Sequence, residues 1–205
     1  MPHNFLIECN QYLRENTQAF YNSNYFGGGR WKVEGTIENI VCTLKNDIEP
    51  YADSILQNKV QELSQILVND LPEILKYTEL NTITVCVVPR AKASYNENQL
   101  FFKSTIREVI SKLSGFIDRT DFIIRHTDTR TTHRDRSGYG GSGKMPFPGI
   151  TRETCAISEE VIGKNILLID DIYTKSINID EDAIQALLDK GANKVFFYAI
   201  GRTVK

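Results

Sequence analysis

The sequence has no apolar run near the roughly 18 residues that a membrane-spanning helix needs. Its first residues, MPHNFLIECN, lack the basic start and the apolar stretch of a secretory signal. Lys and Arg total 24 and Asp and Glu total 26. The chain therefore lacks the excess of positive charge that is typical of a surface that binds nucleic acid generally. These absences predict a cytoplasmic globular protein that makes no membrane contact.

Cysteine is also scarce. The four cysteines stand at positions 9, 42, 86 and 155 and form no C-x-x-C pair, which argues against a zinc module and against a disulfide scaffold. We therefore expect them to be small core side chains in a reducing compartment. The length of 205 residues and a hydrophobic content of 41% fit one domain with a small appendage.

Hydrophobic periodicity predicts the elements before the last third of the chain. Helices are expected over residues 4–22, 37–44, 51–68 and 100–113, and strands over 82–88 and 122–125.

The last third has the clearest pattern. A buried strand over 166–169, a helix over 179–190 and a second buried strand over 195–200 form a βαβ unit, which predicts a parallel sheet. Asn178 is expected to cap the helix at its N-terminus, and Gly191 to end it. The predicted architecture is a three-layer α/β domain with a parallel sheet and an N-terminal helical segment.

Residues 125–152 have no periodic pattern. They contain six basic and two acidic residues, five glycines and two prolines. The glycines at 138–143 match the spacing of nucleotide-binding loops, but the MPFPGI that follows cannot open the helix those loops require. Two interpretations stay open: a flexible cationic segment that closes over an anionic substrate, and a mobile surface loop without a role.

The strongest functional signal is NILLIDDIYTKSIN, residues 165–178. An apolar strand ends in Asp170 and Asp171, and the crevice of a parallel sheet lies beyond such strand ends. The turn over 174–178 offers hydroxyls, N–H groups and a helix N-terminus to a phosphate. The carboxylates suit sugar hydroxyls or a hydrated Mg²⁺. The alternatives are an aspartate pair that only ends the strand and the acidic pocket of a receiver domain, although only 34 residues follow Asp171.

This arrangement resembles the phosphoribosyl pyrophosphate (PRPP) signature of type I phosphoribosyltransferases. The usual form is D-D-x-x-T-T-G-x-T, and this chain has D-D-I-Y-T-K-S-I-N. The sequence is most similar to the competence-protein ComF branch, over roughly residues 40–205. The resemblance divides the chain into an N-terminal helical segment of unknown role, 1–40, and a phosphoribosyltransferase-like domain, 41–205.

The resemblance also implies roles for particular residues. Asp170 and Asp171 would bind the ribose hydroxyls and hold Mg²⁺. The 5′-phosphate loop would be Thr174, Lys175, Ser176, Ile177 and Asn178. The pyrophosphate loop, within VVPRAK, would be Arg90, Ala91 and Lys92. A flexible hood would include His133, Arg134, Arg136 and Lys144. No catalytic residue is predicted.

The chain departs from the family pattern within the phosphate loop. Lys175 replaces the second Thr, Ser176 the Gly and Asn178 the last Thr. Because Gly tolerates positive φ, its loss at 176 predicts a loop of altered shape. Lys175 either reaches the phosphate as a point charge or turns outward. The cysteine-rich zinc module common at the front of ComF-like proteins is absent.

These observations predict Mg²⁺-dependent transfer of a phosphoribosyl group from PRPP, or a related phosphorylated ribose, to an unidentified nucleophile, with release of pyrophosphate. The alternative is a non-catalytic protein that binds PRPP or a nucleotide and partners a DNA-processing or regulatory protein. Direct nucleic-acid binding through residues 125–152 is a weaker alternative, because the segment offers only two aromatic side chains for stacking, Tyr139 and Phe147. The expected oligomeric state is a dimer.

Overall fold

The structure is a computed structural model that describes residues 1–47, 50–130 and 149–204. Its strands are β1 (His3–Ile7), β2 (Thr17–Tyr25), β3 (Ile83–Val87), β4 (Phe116–Asp118), β5 (Ile123–Arg125), β6 (Cys155–Ile157), β7 (Asn165–Tyr173) and β8 (Lys194–Thr203). Its α-helices are α1 (Ile37–Lys45), α2 (Asp53–Thr78), α3 (Phe101–Lys112) and α4 (Ile179–Asp189).

Six strands form one sheet in the order β1-β2-β8-β7-β3-β4. Every neighbouring pair is parallel except β1 with β2, which is antiparallel. Strands β5 and β6 form a separate antiparallel ribbon. The mixed α/β class and the mostly parallel sheet are therefore confirmed.

The sheet lies between two apolar cores, because successive side chains of a strand point to opposite faces. In β7, Leu167 and Ile169 pack with α1, α2 and α3, whereas Ile166 and Leu168 pack with α4 and the β5–β6 ribbon. Strands β3 and β8 alternate in the same way. The three-layer architecture follows from this alternation.

The helices expected over 37–44 and 100–113 are confirmed as α1 and α3. Helix α2 continues ten residues beyond the predicted end at Val68, through Pro72 to Thr78. Proline cannot donate to the carbonyl four residues earlier, which is that of Val68. Val68 is an exposed residue of the helix, so water can replace the missing bond.

The prediction of a helix over 4–22 is wrong, since these residues form β1, a turn and most of β2. The apolar spacing of this segment matched a helix, but β8 needs a partner on its outer edge, and β2 supplies it with Ala19 opposite Phe197. The Asn10 side chain accepts bonds from the N–H groups of Tyr12 and Leu13, at 2.7 and 3.1 Å, which fixes the turn between the strands. Tertiary pairing therefore overrides the local pattern.

The structure bears on the predictions about membrane-spanning helices and about the cysteines. None of the helices in the described ranges is both long and apolar enough to cross a membrane. Cys86 and Cys155 are buried as predicted, and Cys42 is partly buried. Cys9 is exposed, contrary to the expectation, because it lies in the turn after β1.

A buried polar network ties α2 to the sheet. Asp70 is 1% exposed, and its Oδ2 accepts bonds from the Tyr198 hydroxyl at 2.7 Å and from the Asn22 amide at 2.9 Å. These donors come from β8 and β2. Because a buried carboxylate needs donors, this network specifies how α2 packs on the sheet.

We expect Tyr198→Phe to lower the free energy of unfolding by about 1–3 kcal/mol, because it removes a donor from the buried Asp70 and leaves the pocket shape unchanged. Urea unfolding followed by circular dichroism measures this loss. The control is Tyr77→Phe, whose exposed hydroxyl makes only a 3.4 Å contact with Gln18 and should change stability little. Equal effects of the two variants would contradict a structural role for the network.

Candidate functional site

The sheet topology places a crevice between β3 and β7. These strands are parallel neighbours, with Val87 opposite Ile169. After β3 the chain passes through α3 on one face to β4, and after β7 it passes through α4 on the other face to β8. Because the two connections leave in opposite directions, their loops separate at the carboxyl ends of the strands and leave room for a ligand.

Charged side chains of both signs line this crevice. The basic ones are Lys45, Arg90, Arg125 and Arg130, and the acidic ones are Asp47, Asp170, Asp171 and Asp180. The structure thus brings the predicted residues Asp170, Asp171, Arg90 and Ala91 together with Thr174 and Ile177 of the predicted phosphate loop.

Asp170 and Asp171 lie within β7 rather than after it. The strand was expected to end at Ile169, but it continues to Tyr173 because β8 is long enough to pair with it that far. Since side chains alternate along a strand, the two aspartates diverge. Asp171 meets α1 on one face, and Asp170 meets α4 on the other.

The partner of Asp171 is Lys45, at the C-terminal end of α1. The Lys45 ammonium lies 2.8 Å from Asp171 Oδ2. Burial disfavours the lysine's charge, but the attraction of Asp171, with a smaller one from Asp170, outweighs it and raises the pKa of Lys45. The sequence analysis did not identify Lys45, because a lysine in the last turn of a helix is an ordinary feature.

Asp170 faces Asp180, in the first turn of α4, and the two carboxyl groups interact across the junction of β7 and α4. Asp170 Oδ1 also accepts the Asp171 N–H at 2.8 Å. Burial, and then the charge of Asp171, raise the pKa of Asp170 to about 7. Burial and the charge of Asp170 likewise raise the pKa of Asp180 well above its ordinary value. Asp180 was not predicted as a site residue, because an aspartate in the first turn of a helix is an ordinary feature that the helix dipole favours.

The segment after β3 holds the predicted pyrophosphate loop. The Arg90 guanidinium donates to Asp47 Oδ1 at 2.5 Å and to the Gln99 carbonyl at 2.6 Å, and it stacks on Tyr95 with 4.0 Å to the ring centroid. Arg90 therefore lines the crevice as an anchored side chain. The Lys92 ammonium donates to the Thr129 carbonyl at 3.2 Å.

Arg125, at the end of β5, joins this loop although the sequence analysis gave it no role there. Its Nε donates to the Arg90 carbonyl at 2.6 Å, and its Nη1 donates to the Gly149 carbonyl at 3.1 Å. These acceptors are neutral, so neither bond cancels the charge of Arg125. An ordinary strand-end arginine carries no sequence signal for such a position.

The predicted phosphate loop is a turn in which the Ile177 N–H donates to the Thr174 carbonyl at 2.9 Å. The left-handed residue is Asn178, with φ of 60°, and not Ser176. Asn178 stands at the N-cap position of α4 but makes no capping bond, so that prediction is wrong. Its Oδ1 instead accepts the Asn10 amide at 3.1 Å. The left-handed backbone turns the Asn178 side chain toward the N-terminal hairpin.

Lys175 turns outward. Its ammonium lies 2.6 Å from Glu8 Oε2, and the two side chains are 71% and 66% exposed. The hydrogen bond and charge of Lys175 lower the pKa of Glu8. Of the two orientations considered for this lysine, the structure shows the one that leaves the crevice.

The predicted hood residues His133, Arg134, Arg136 and Lys144 lie outside the described residues. The described flanks of that segment both join the crevice. On one side, the Thr129 N–H donates to the Ala91 carbonyl at 2.8 Å. On the other side, the Ile150 N–H donates to Asp182 at 2.6 Å, and Gly149 accepts from Arg125.

The acidic side of the crevice fits a hydrated Mg²⁺. Among the described residues, no group of three or more His, Cys, Asp or Glu side chains is arranged to hold a metal ion. Mg²⁺ does not need such a group, because it is usually bound through one or two carboxylates and keeps several waters. Asp180 Oδ1 is buried and has no hydrogen-bond partner among the described residues, so the crevice contains a carboxylate oxygen to which none of them donates.

Comparison with known proteins identifies no family. A scan against protein-family models finds no match, and a search of the curated proteins finds none either. The resemblance over residues 170–178 therefore stays a prediction from the sequence, and function has to be argued from the site itself.

We expect Asp180→Asn to raise the free energy of unfolding at pH 7.5 by about 1 kcal/mol or more, because it removes one of two carboxyl groups forced together by the fold. A carboxyl whose folded-state pKa is raised costs stability as pH rises from its unfolded pKa to its folded pKa. The gain should therefore grow between pH 4.5 and 7.5. Urea unfolding across this range measures it. A gain that is independent of pH would contradict the close contact with Asp170.

Proposed function

We propose that this crevice binds PRPP together with Mg²⁺ and that the protein transfers the phosphoribosyl group to a nucleophile, releasing pyrophosphate. One observation carries the proposal. Three segments given ligand roles from the sequence alone border a single crevice at the point where the sheet order reverses: the loop after β3, the aspartates of β7 and the turn before α4. A spurious motif match gives no reason for distant segments to meet there.

The distribution of charge in the crevice supports the same ligand. Arg125 donates to the Arg90 carbonyl, so two of the basic side chains, Arg90 and Arg125, lie at the loop after β3, whereas Lys45 lies at β7. Asp170, Asp171 and Asp180 gather at β7 and α4. PRPP matches this arrangement at C1, where a charged pyrophosphate lies next to the neutral ribose hydroxyls. Its second charged group, the 5′-phosphate, would lie at the turn before α4. The basic end would take the pyrophosphate, and the acidic end the hydroxyls and the cation.

This polarity suits the proposed reaction. As the bond from the ribose C1 to the pyrophosphate breaks, positive charge develops on the ribose ring and negative charge on the leaving group. Arginines held in place before the reaction stabilise the leaving group at little cost in reorganisation. Mg²⁺, when bound, would add to this by neutralising pyrophosphate oxygens. Asp171, fixed by Lys45, is positioned to accept hydrogen bonds from ribose hydroxyls.

A second candidate is a non-catalytic protein that binds PRPP or a nucleotide. The observation that favours it is the phosphate loop, where Lys175 pairs with Glu8 and where the acid Asp180 stands in the first turn of α4. Such a loop offers the 5′-phosphate the N-terminus of α4, but the Lys175 side chain points away from it. In this case PRPP binds without turnover. The predicted dimer and the predicted DNA-processing partner stay predictions.

We expect the double variant Asp170→Asn with Asp171→Asn to bind PRPP at least tenfold more weakly than wild type in the presence of Mg²⁺, a loss of about 1.4 kcal/mol. The variant lacks the negative charges that would face the ribose and the cation, and the amide side chains keep the shape of the aspartates. Isothermal titration calorimetry measures the affinity.

The matched control is Asp189→Asn, an exposed aspartate at the far end of α4 whose partner is Arg14. It should bind PRPP as wild type does. Unchanged affinity in the double variant would remove the assignment of the aspartates. Pyrophosphate release with bases, ammonia or glutamine as acceptors then separates the candidates, because the transferase releases pyrophosphate and the accessory protein only binds PRPP.

We expect Lys175→Ala to bind PRPP and ribose 5-phosphate within about twofold of wild type, because an exposed ion pair such as that with Glu8 contributes little. Calorimetry with both ligands tests this, since they share the 5′-phosphate. The control is Lys112→Ala, which removes a similarly exposed lysine paired at 2.6 Å with Glu108. A tenfold loss for both ligands, seen only with Lys175→Ala, would show that the lysine swings inward. Lys175→Thr with Ser176→Gly should then restore binding.

A further inference from the structure

We infer that Asp170 and Asp180 together bind a divalent cation of the size of Mg²⁺ directly, before any PRPP is present. The inference rests on the proposed function for its biological meaning, because the cation would prepare the same crevice for a pyrophosphate. It assigns Asp180 to a cation site and separates Asp171 from it.

The first reason is the position of Asp180. It is 5% exposed, it lines the crevice, and its carboxyl contacts that of Asp170 across the junction of β7 and α4. Its Oδ1 has no hydrogen-bond donor. A buried carboxylate oxygen without a donor is unfavourable, and a cation is the partner that would satisfy both carboxylates at once.

The second reason is that three of the four basic side chains of the crevice have other partners. Lys45 pairs with Asp171 on the opposite face of the sheet, and Arg90 pairs with Asp47. Arg125 donates to main-chain carbonyl groups. None of these three basic groups donates to Asp180 Oδ1. This oxygen therefore has no cationic partner among the described residues.

The third reason is that the oxygen spacing of two neighbouring carboxyl groups is close to the ligand spacing around Mg²⁺. Oxygens of a hydrogen-bonded carboxyl pair lie about 2.5–2.7 Å apart. Two adjacent oxygen ligands of an octahedral Mg²⁺, each at 2.0–2.1 Å, lie about 2.9 Å apart. Two neighbouring carboxylates therefore suit adjacent positions around the ion, and water from the open crevice would fill the others. Ca²⁺ needs six to eight oxygen ligands and is less suited to two carboxylates.

The experiment uses the metal alone, without PRPP. Wild-type protein is melted with increasing MgCl₂ up to about 10 mM, and with KCl of equal ionic strength, and it is titrated with MnCl₂ while the electron paramagnetic resonance signal of free Mn²⁺ is recorded. We expect Mg²⁺ to raise the melting temperature by at least about 2 °C beyond KCl. We also expect the protein to bind one Mn²⁺ that Mg²⁺ displaces.

Asp180→Asn should lose both effects, and Glu181→Gln should keep them. Glu181 is the matched control because it is also a buried acid in the first turn of α4, and its Oε2, like Asp180 Oδ1, has no hydrogen-bond partner among the described residues. Its Oε1 accepts the Tyr173 hydroxyl at 2.9 Å, and Glu181 lines a separate cavity beside Lys175 instead of the crevice with Asp170. The inference is overturned if Mg²⁺ stabilises no more than KCl does, or if Asp180→Asn binds Mn²⁺ as wild type does.

The outcome is separable from that of the proposed function. Mn²⁺ binding through Asp180 together with no binding of PRPP supports the cation site and removes the phosphoribosyl proposal. PRPP binding that needs Mg²⁺, in a protein that binds no Mn²⁺ alone, overturns the cation site and leaves the phosphoribosyl proposal in place.

Discussion

The parallel pairing of β3 with β7 is the constraint on which the site depends. Because the connections after these two strands run over opposite faces of the sheet, their loops are held apart at one edge and cannot close over each other. The same pairing sets the side-chain alternation in β7. That alternation sends Asp171 toward α1 and Asp170 toward α4. The different surroundings of the two aspartates therefore follow from this pairing.

The crevice is costly to fold, and the rest of the molecule has to offset that cost. Carboxyl groups meet at β7 and α4 with raised pKa values, and a buried oxygen of Asp180 stays without a donor. Two apolar cores and the Asp70 network on α2 hold the sheet that carries them. Strained polar groups persist in native proteins where the surrounding structure determines them, and such groups concentrate at functional sites. The buried Asp70 carboxylate has two donors and supports the fold, whereas Asp180 Oδ1 has no donor among the described residues and lies in the crevice. This difference points to the crevice as the ligand site.

The sequence was sufficient for elements whose pattern is local, and it failed where the decisive contact is distant. The buried runs at 83–87 and 166–169 are strands because continuous β-branched and apolar residues fit a sheet covered on both faces. The N-terminal hairpin was predicted as a helix, since its apolar spacing fits a helix and only the need of β8 for a partner decides otherwise. Lys45 and Arg125 were missed as site residues for the same reason, since each acts on a group far away in the chain. Asp180 was missed because an acid in the first turn of a helix is an ordinary feature.

The signature D-D therefore describes two residues with different surroundings. Asp171 has a counter-ion in Lys45, 2.8 Å away, which fixes its orientation, and this suits a carboxylate that accepts hydrogen bonds from a neutral diol. Asp170 has another carboxyl as its neighbour, which leaves it dependent on a proton or a metal ion. Adjacent residues on a strand cannot share one small ligand as easily as residues on facing elements can. A helix that follows such a strand is therefore the element able to complete a cation site with the first aspartate, and in this chain its first turn supplies Asp180.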